Sequence, residues 1–228
     1  MHVDRVEDLM SVSTDVGGSA GADAAFDVNS PITGERLATL PVHSEEDVRA
    51  AVSRARAASY NWSALTHAER REYILDFRRE IVRRMDDFID TVHKENGKPR
   101  IDAAAELLLV VTHLTHAANR AEKVFESRTV GGGMQFNQRC TISYHPLGVV
   151  GVIGPWNYPI FTPIGAMAYA LAAGNTVVLK PSELTPLSGQ LLGECARAAI
   201  PIPDVVQVVT GYGETGAALA GSDVDKIS

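Results

Sequence analysis

Cysteine, aromatic residues and excess positive charge are all scarce in this 228-residue sequence. Its two cysteines, Cys140 and Cys195, form no Cys-x-x-Cys pair and belong to no Cys/His cluster, which excludes a disulfide scaffold and leaves nothing with the spacing of a zinc site. Both are expected to be reduced and structural, in a cytoplasmic setting. Against 28 acidic residues stand 21 Lys and Arg, for a formal charge of −7, so neither nucleic acid nor an anionic membrane surface is an expected partner. The one basic cluster, Arg70, Arg71, Arg78, Arg79, Arg83 and Arg84, is interleaved with Glu69, Glu72, Glu80, Asp86 and Asp87 at helical spacing. It reads as a salt-bridged, solvated face. Long apolar runs are missing too: stretches such as Leu107 to Val111 fall far short of the ~20 residues that cross a bilayer. Met1 to Asp23 has neither the basic start nor the apolar centre of a secretory leader. A GxxxxGKS/T loop is also absent, which disfavours P-loop phosphoryl transfer.

What is present is the composition of a globular chain, 45% hydrophobic and 21% charged. Residues 1–24, rich in Gly, Ala, Ser and Asp, are expected to be a disordered tail. Two short extended runs flank the turn Ser30-Pro31-Ile32-Thr33-Gly34 and predict a hairpin. Ser44 followed by three acids predicts a helix over about 44–60. Thr66-His67-Ala68-Glu69 is a capping box, and the apolar stripe from Tyr73 to Ile89 predicts one helix running to about Lys94. Asn96-Gly97-Lys98-Pro99 stops it, and a further amphipathic helix is expected over roughly 101–126, ended before Gly131-Gly132-Gly133. Gln138 to Tyr144 alternates like a strand with one wet face.

From Gly148 the texture changes. Val149 to Ile153 is a continuous apolar run of the kind found in strands buried on both faces. Strand, helix, strand, helix, strand then follows, through Ile160–Ala173, Thr176–Leu179, Pro186–Ala199 and Val205–Val209, with a short helix and the opening of a fourth strand at Asp223 to Ser228. Such alternation predicts an α/β fold with a parallel sheet.

Ligands of parallel sheets collect where strands end, so the post-strand turns are the candidate sites. They read Gly154-Pro155-Trp156-Asn157, Lys180-Pro181-Ser182-Glu183 and Gly211-Tyr212-Gly213-Glu214-Thr215-Gly216. The third is a GxGxxG that either marks a tight turn or lets backbone N–H groups approach a pyrophosphate. Lys180 can donate to ribose hydroxyls and Glu183 can accept from them, and a glutamate there repels a 2′-phosphate and leans the cofactor toward NAD over NADP. Equally, Glu183 could cap the following helix. Asn157 either satisfies its own turn or serves as an oxyanion donor.

Taken in order, Val152-Ile153-Gly154-Pro155-Trp156-Asn157-Tyr158-Pro159, Ala172-Ala173-Gly174-Asn175, Lys180-Pro181-Ser182-Glu183-Leu184-Thr185-Pro186 and Gly211 to Gly216 with Val224 to Ser228 resemble the aldehyde dehydrogenase superfamily. Upstream, Trp62, Arg70 and Glu95-Asn96-Gly97-Lys98-Pro99 resemble its amino-terminal helices, so the resemblance covers about residues 26–228. It implies a Rossmann-like parallel-sheet cofactor domain, here incomplete, formed by 26–128 with 149–228, and an oligomerisation strand within 129–148. It further implies NAD as cofactor, with NADP possible in the family, a small aldehyde as substrate and a homo-oligomer in the full-length form.

Carried over residue by residue, the resemblance implies that Asn157 stabilises the oxyanion formed from the aldehyde. Pro155 and Trp156 would line the cofactor path, Lys180, Ser182 and Glu183 would hold the adenosine ribose, and Gly213 and Gly216 would let adenine and pyrophosphate lie close to the backbone. In the family a cysteine thiolate attacks the aldehyde, hydride passes to NAD(P)+ and a glutamate activates water to release the acid. Cys140 and Cys195 do not match that thiol, and the nucleophile and base belong to family motifs beyond Ser228. The chain is therefore expected to hold the cofactor-binding part of an aldehyde-oxidising enzyme and to be inactive alone. A non-catalytic nucleotide-binding or assembly module, and a truncated gene product, are the alternatives.

Overall fold

The computed structural model describes residues 24–131 and 138–228. The expected tail at 1–24 therefore lies, but for Ala24, outside the described residues. Strands β1 (Ala25–Asn29) and β2 (Arg36–Pro41) form the predicted antiparallel hairpin.

Helix α1 (Glu45–Ala64) starts where Ser44 and Asp47 form a capping box, with Asp47 N–H donating to Ser44 Oγ at 3.2 Å and Ser44 N–H to Asp47 Oδ2 at 2.9 Å. Thr66 and Glu69 repeat the device at α2 (His67–Arg83). The single helix expected to Lys94 is in fact two, because the chain leaves helical geometry at Arg84 (φ −103°, ψ 24°) before α3 (Met85–Asn96). Arg84 bonds Asp87 at 3.1 Å and the distant Glu194 at 2.7 Å, a tertiary tie that an unbroken apolar stripe does not reveal. Gly97, at φ +78°, ends α3 in the left-handed region that favours glycine.

Helix α4 (Arg100–Val124) has 25 residues and is long and apolar enough to cross a membrane by length and composition alone. The short-run criterion missed this. Its inner face, from Ala103 and Leu107 through Leu114 to Ala121, is instead part of the protein core. The basic cluster also needs correction. Arg71, Arg79, Arg83 and Arg84 pair with acids as expected, but Arg70 is buried, donating to the carbonyls of Trp62, Ser63 and Leu65 and, at 3.4 Å, to that of Ala172.

A short strand absent from the expectations, β3 (Arg128–Gly131), pairs antiparallel with β4 (Arg139–Ile142) as an exposed two-stranded ribbon. Cys140 lies exposed on it, outside the core of this chain.

β5 (Val149–Ile153), α5 (Phe161–Ala172), β6 (Thr176–Lys180), α6 (Pro186–Ala199), β7 (Val206–Val208), α7 (Gly213–Ala220) and β8 (Lys226–Ile227) then build a parallel sheet of order β7-β6-β5-β8. Successive side chains point to opposite faces. Val150, Val152, Val177 and Leu179 join Trp62, Phe77, Phe88, Leu107 and Leu171 in the larger core. Val149 and Val178 join Val48, Val52 and Leu219 of α1 and α7 in the smaller one. Both sheet faces are covered, which is why the strands read as unbroken apolar runs.

Candidate functional site

The chain runs outward from β5 to β6 and β7, then returns to place β8 on the other side of β5. That reversal puts the topological switch point at β5, where open α/β sheets carry their ligands. The turn that leaves β5 is Gly154-Pro155-Trp156-Asn157. Gly154 N–H donates to Lys180 O at 2.9 Å, and its missing Cβ would lie 2.9 Å from Pro163 Cγ, so the turn is pulled tight against both β6 and α5. Pro155 is half-buried, Trp156 is 56% exposed and Asn157 is exposed. Asn157 Oδ1 accepts from Tyr158 N–H at 3.1 Å. The amide thus satisfies its own turn with its oxygen, which orients its NH2 group as the remaining donor.

The turn is held by residues of the helix-ending segment Asn96-Gly97-Lys98-Pro99, to which the sequence alone assigned no contact with it. Asn96 Nδ2 donates to Trp156 O at 2.7 Å, and Lys98 Nζ to Asn157 O at 2.8 Å. The same ammonium meets Glu106 Oε2 at 2.6 Å and lies 4.3 Å from the Tyr158 ring centroid. Glu106, wholly buried, accepts through Oε1 from Ile160 and Phe161 N–H at 2.8 and 2.9 Å, capping α5.

At the end of β6, Lys180 is 4% exposed and meets Glu183 Oε2 at 3.2 Å. Ser182 is buried and its Oγ accepts from Leu184 N–H at 3.2 Å. Glu183 does not cap α6. That position is taken by Glu95, whose carboxylate accepts from Leu187 and Ser188 N–H at 2.8 and 2.9 Å and from the Ser188 hydroxyl. Burial pushes the Glu95 carboxyl up from 4.5 to about 7, against the lowering pull of those three donors.

The third turn follows β7. His43, from the β2–α1 connection, clamps it: Thr210 N–H donates to His43 Nδ1 at 3.0 Å, His43 N–H to Thr210 O at 2.8 Å, and Thr215 Oγ1 to His43 O at 2.9 Å. Gly211, at φ +148°, packs where a Cβ would strike the Thr215 side chain. Beyond it, a Cβ on Gly213 would meet nothing within 4 Å, and one on Gly216 would lie 3.9 Å from Lys180 Cδ. The floor beside the Lys180–Glu183 pair is thus bare backbone, at the amino end of a helix whose N-cap residue, Tyr212, makes no side-chain cap. Ribose hydroxyls fit the pair, and a pyrophosphate fits the open glycine floor and helix amino terminus.

Neither cysteine is set up as a nucleophile. Cys195 is fully buried in α6, its thiol pushed up to about 11 chiefly by burial, and Cys140 sits on the β3–β4 ribbon. No cluster of metal-binding side chains occurs among the described residues.

His43 and Glu106 were not singled out in the sequence, and Glu95, Asn96 and Lys98 were noted only as part of a helix-ending segment that resembles the family, with no role at the site. One signal was available: Glu106 is an acid on the buried stripe of α4, between Ala103 and Leu107. The others act through contacts about 60 to 170 residues away in sequence.

A doubly wound α/β sheet with its switch point at β5 is the architecture these elements define. The aldehyde dehydrogenase family model matches residues 19–228, and the chain belongs to that family. It is 39% identical over 208 residues to an aldehyde dehydrogenase of Rhodospirillum rubrum, covering 86% of this chain and 38% of that protein. Among solved structures it superposes on PnpE from Pseudomonas sp. WBC-3 with a TM-score of 0.85 at 33% identity, covering 90% of this chain and 42% of that one. The NAD+ complex of an aldehyde dehydrogenase from Bacillus cereus gives a TM-score of 0.84 at 32% identity, again covering 90% and 42%. The chain thus spans about two fifths of the length of these relatives.

Proposed function

We propose that this chain is the cofactor-binding part of an NAD+-dependent aldehyde dehydrogenase that oxidises a small aldehyde to the carboxylic acid. The observation that carries this is the placement of Asn157 at the switch point, with Oδ1 held by Tyr158 N–H and the Lys180–Glu183 pair at the end of the adjacent strand.

NAD+, when bound, supplies the hydride acceptor. Lys180 and Glu183 bind the adenosine ribose hydroxyls, with Ser182 holding their turn. Gly213 and Gly216 allow the pyrophosphate and adenine to approach the backbone, and Pro155 and Trp156 line the path toward Asn157. The Asn157 NH2 group donates to the oxygen that gains charge when the aldehyde carbon is attacked. Glu183 favours NAD+ over NADP+, because a 2′-phosphate would meet its carboxylate.

The nucleophile and general base are supplied by residues other than those described here, which the burial of Cys195 and the place of Cys140 support. The β3–β4 ribbon, within 129–148, serves assembly of a homo-oligomer, and the unpaired cysteines suit a reducing, cytoplasmic compartment.

The test is an NAD+ titration followed by Trp156 fluorescence, since the only other tryptophan, Trp62, is fully buried. Saturable binding that Lys180→Ala weakens about tenfold or more, with no NADH formed from a panel of aldehydes, is expected. Absence of NAD+ binding overturns the cofactor assignment. NADH formation at enzyme-like rates overturns the assignment of the nucleophile to other residues. Binding without turnover even when a full-length relative is supplied points to a nucleotide-binding module.

A further inference from the structure

We propose that Lys98, locked by Glu106, is the positioning residue of the Asn157 turn. This rests on the oxyanion role given to Asn157 above. Three contacts converge on the Lys98 ammonium: Glu106 Oε2 at 2.6 Å, Asn157 O at 2.8 Å and the Tyr158 ring at 4.3 Å from its centroid. It has three donors and no acceptor, so it can grip a carboxylate and a carbonyl together without competing for the Asn157 amide.

Glu106 completes the unit. One carboxylate oxygen fixes the ammonium and the other takes the N–H groups of Ile160 and Phe161, so the start and end of the segment from Asn157 to Phe161 are tied to one buried side chain. With the turn's backbone fixed at both ends, Tyr158 N–H stays within 3.1 Å of Asn157 Oδ1, and the NH2 group keeps one orientation. A buried acid and a lysine with only 12% of its side chain exposed carry a desolvation penalty that a purely packing role would not require. Gripping an exposed turn at a sheet's carboxyl edge is a role that does require them.

The experiment is hydrogen exchange of the whole chain, read by mass spectrometry, with the Asn157 side-chain amide followed by NMR and assigned with Asn157→Asp. In Lys98→Met, peptides covering residues 156–161 should exchange about tenfold faster or more while those covering β6 do not change, and the Asn157 NH2 signals should broaden or shift. Lys98→Arg should restore most of the protection. If Lys98→Met does not fold, Lys98→Gln, which keeps a donor, should show the same local pattern at about threefold. Unchanged exchange at 156–161, or equal acceleration in β6, overturns the proposal. NAD+ titration of the same samples separates the two ideas: loss of wild-type NAD+ binding with the turn behaving as stated removes the functional reading alone. Intact NAD+ binding with a turn indifferent to Lys98 removes this inference alone.

Discussion

The carboxylate of Glu95, at the end of α3, caps a helix that begins ninety residues later, taking the N–H groups of Leu187 and Ser188 at 2.8 and 2.9 Å. Glu106 does the same for α5. Each helix that follows β5 or β6 is thus anchored by an acid from the helical layer, so the turns preceding them inherit their position from α3 and α4.

Glu95 makes stability depend on pH. Its carboxyl is pushed up from 4.5 to about 7 in the folded chain, so between those values the unfolded chain binds fewer protons than the folded one and stability falls as pH rises. The loss is complete above about 7 and is on the order of 3 kcal/mol. Thermal melts at about pH 5 and about pH 8 should show a lower midpoint at the higher pH, and Glu95→Gln should shrink the difference. An unchanged difference in Glu95→Gln would rule out this residue as its source.

Arg70 joins the carboxyl ends of α1 and α5 through their terminal carbonyls, and burial lowers the guanidinium's pKa. Arg70→Met takes away the guanidinium donor of the Ser63, Leu65 and Ala172 carbonyls and should cost about 2 kcal/mol or more. Arg70→Lys should not recover it, since a single ammonium cannot span carbonyls that the planar fork reaches together. Urea melts of the three proteins measure this.

Gly189 lets α6 lie against the turn after β6: a Cβ there would sit 2.6 Å from Pro181 Cβ. Gly189→Ala should displace Pro181 and with it Lys180 and Glu183, costing about 1–3 kcal/mol by overpacking. Weaker NAD+ binding should accompany the lower melting midpoint. A stability loss with unchanged NAD+ affinity would separate α6 packing from the cofactor turn.

Glu183→Gln removes the charge that a 2′-phosphate would face while keeping a hydrogen-bonding group beside Lys180. The ratio of NADP+ to NAD+ affinity should rise about tenfold, worth ~1.4 kcal/mol, in parallel titrations. No change in the ratio would place the discrimination elsewhere.

Local chemistry was legible in the chain. Ser44, Thr66 and Gly97 announce their helix ends because a cap needs only neighbouring backbone. The runs Val149 to Ile153 and Thr176 to Leu179 announce a doubly covered sheet because strands buried on two faces have no wet side to encode. The break at Arg84 and the burial of Arg70 were not legible, since each depends on partners on distant elements, Glu194 in one case and Ala172 in the other. The ribbon strand β3 was missed because all four of its residues are exposed and carry no alternation.

Motif identity and the order of elements from β5 onward were thus determined by sequence alone, through periodicity, turn residues and the linked segments at Asn157, Lys180 and Gly211, whereas β3 and the break between α2 and α3 were not. Only the tertiary structure decided how those turns are held. Glu95, Lys98 and Glu106 act at long range, where their value comes from desolvated charge meeting backbone groups that no local pattern brings near. Glu183 shows the same division: its residue type allowed a helix cap or a ribose contact, and the arrival of Glu95 at the α6 amino terminus left it beside Lys180.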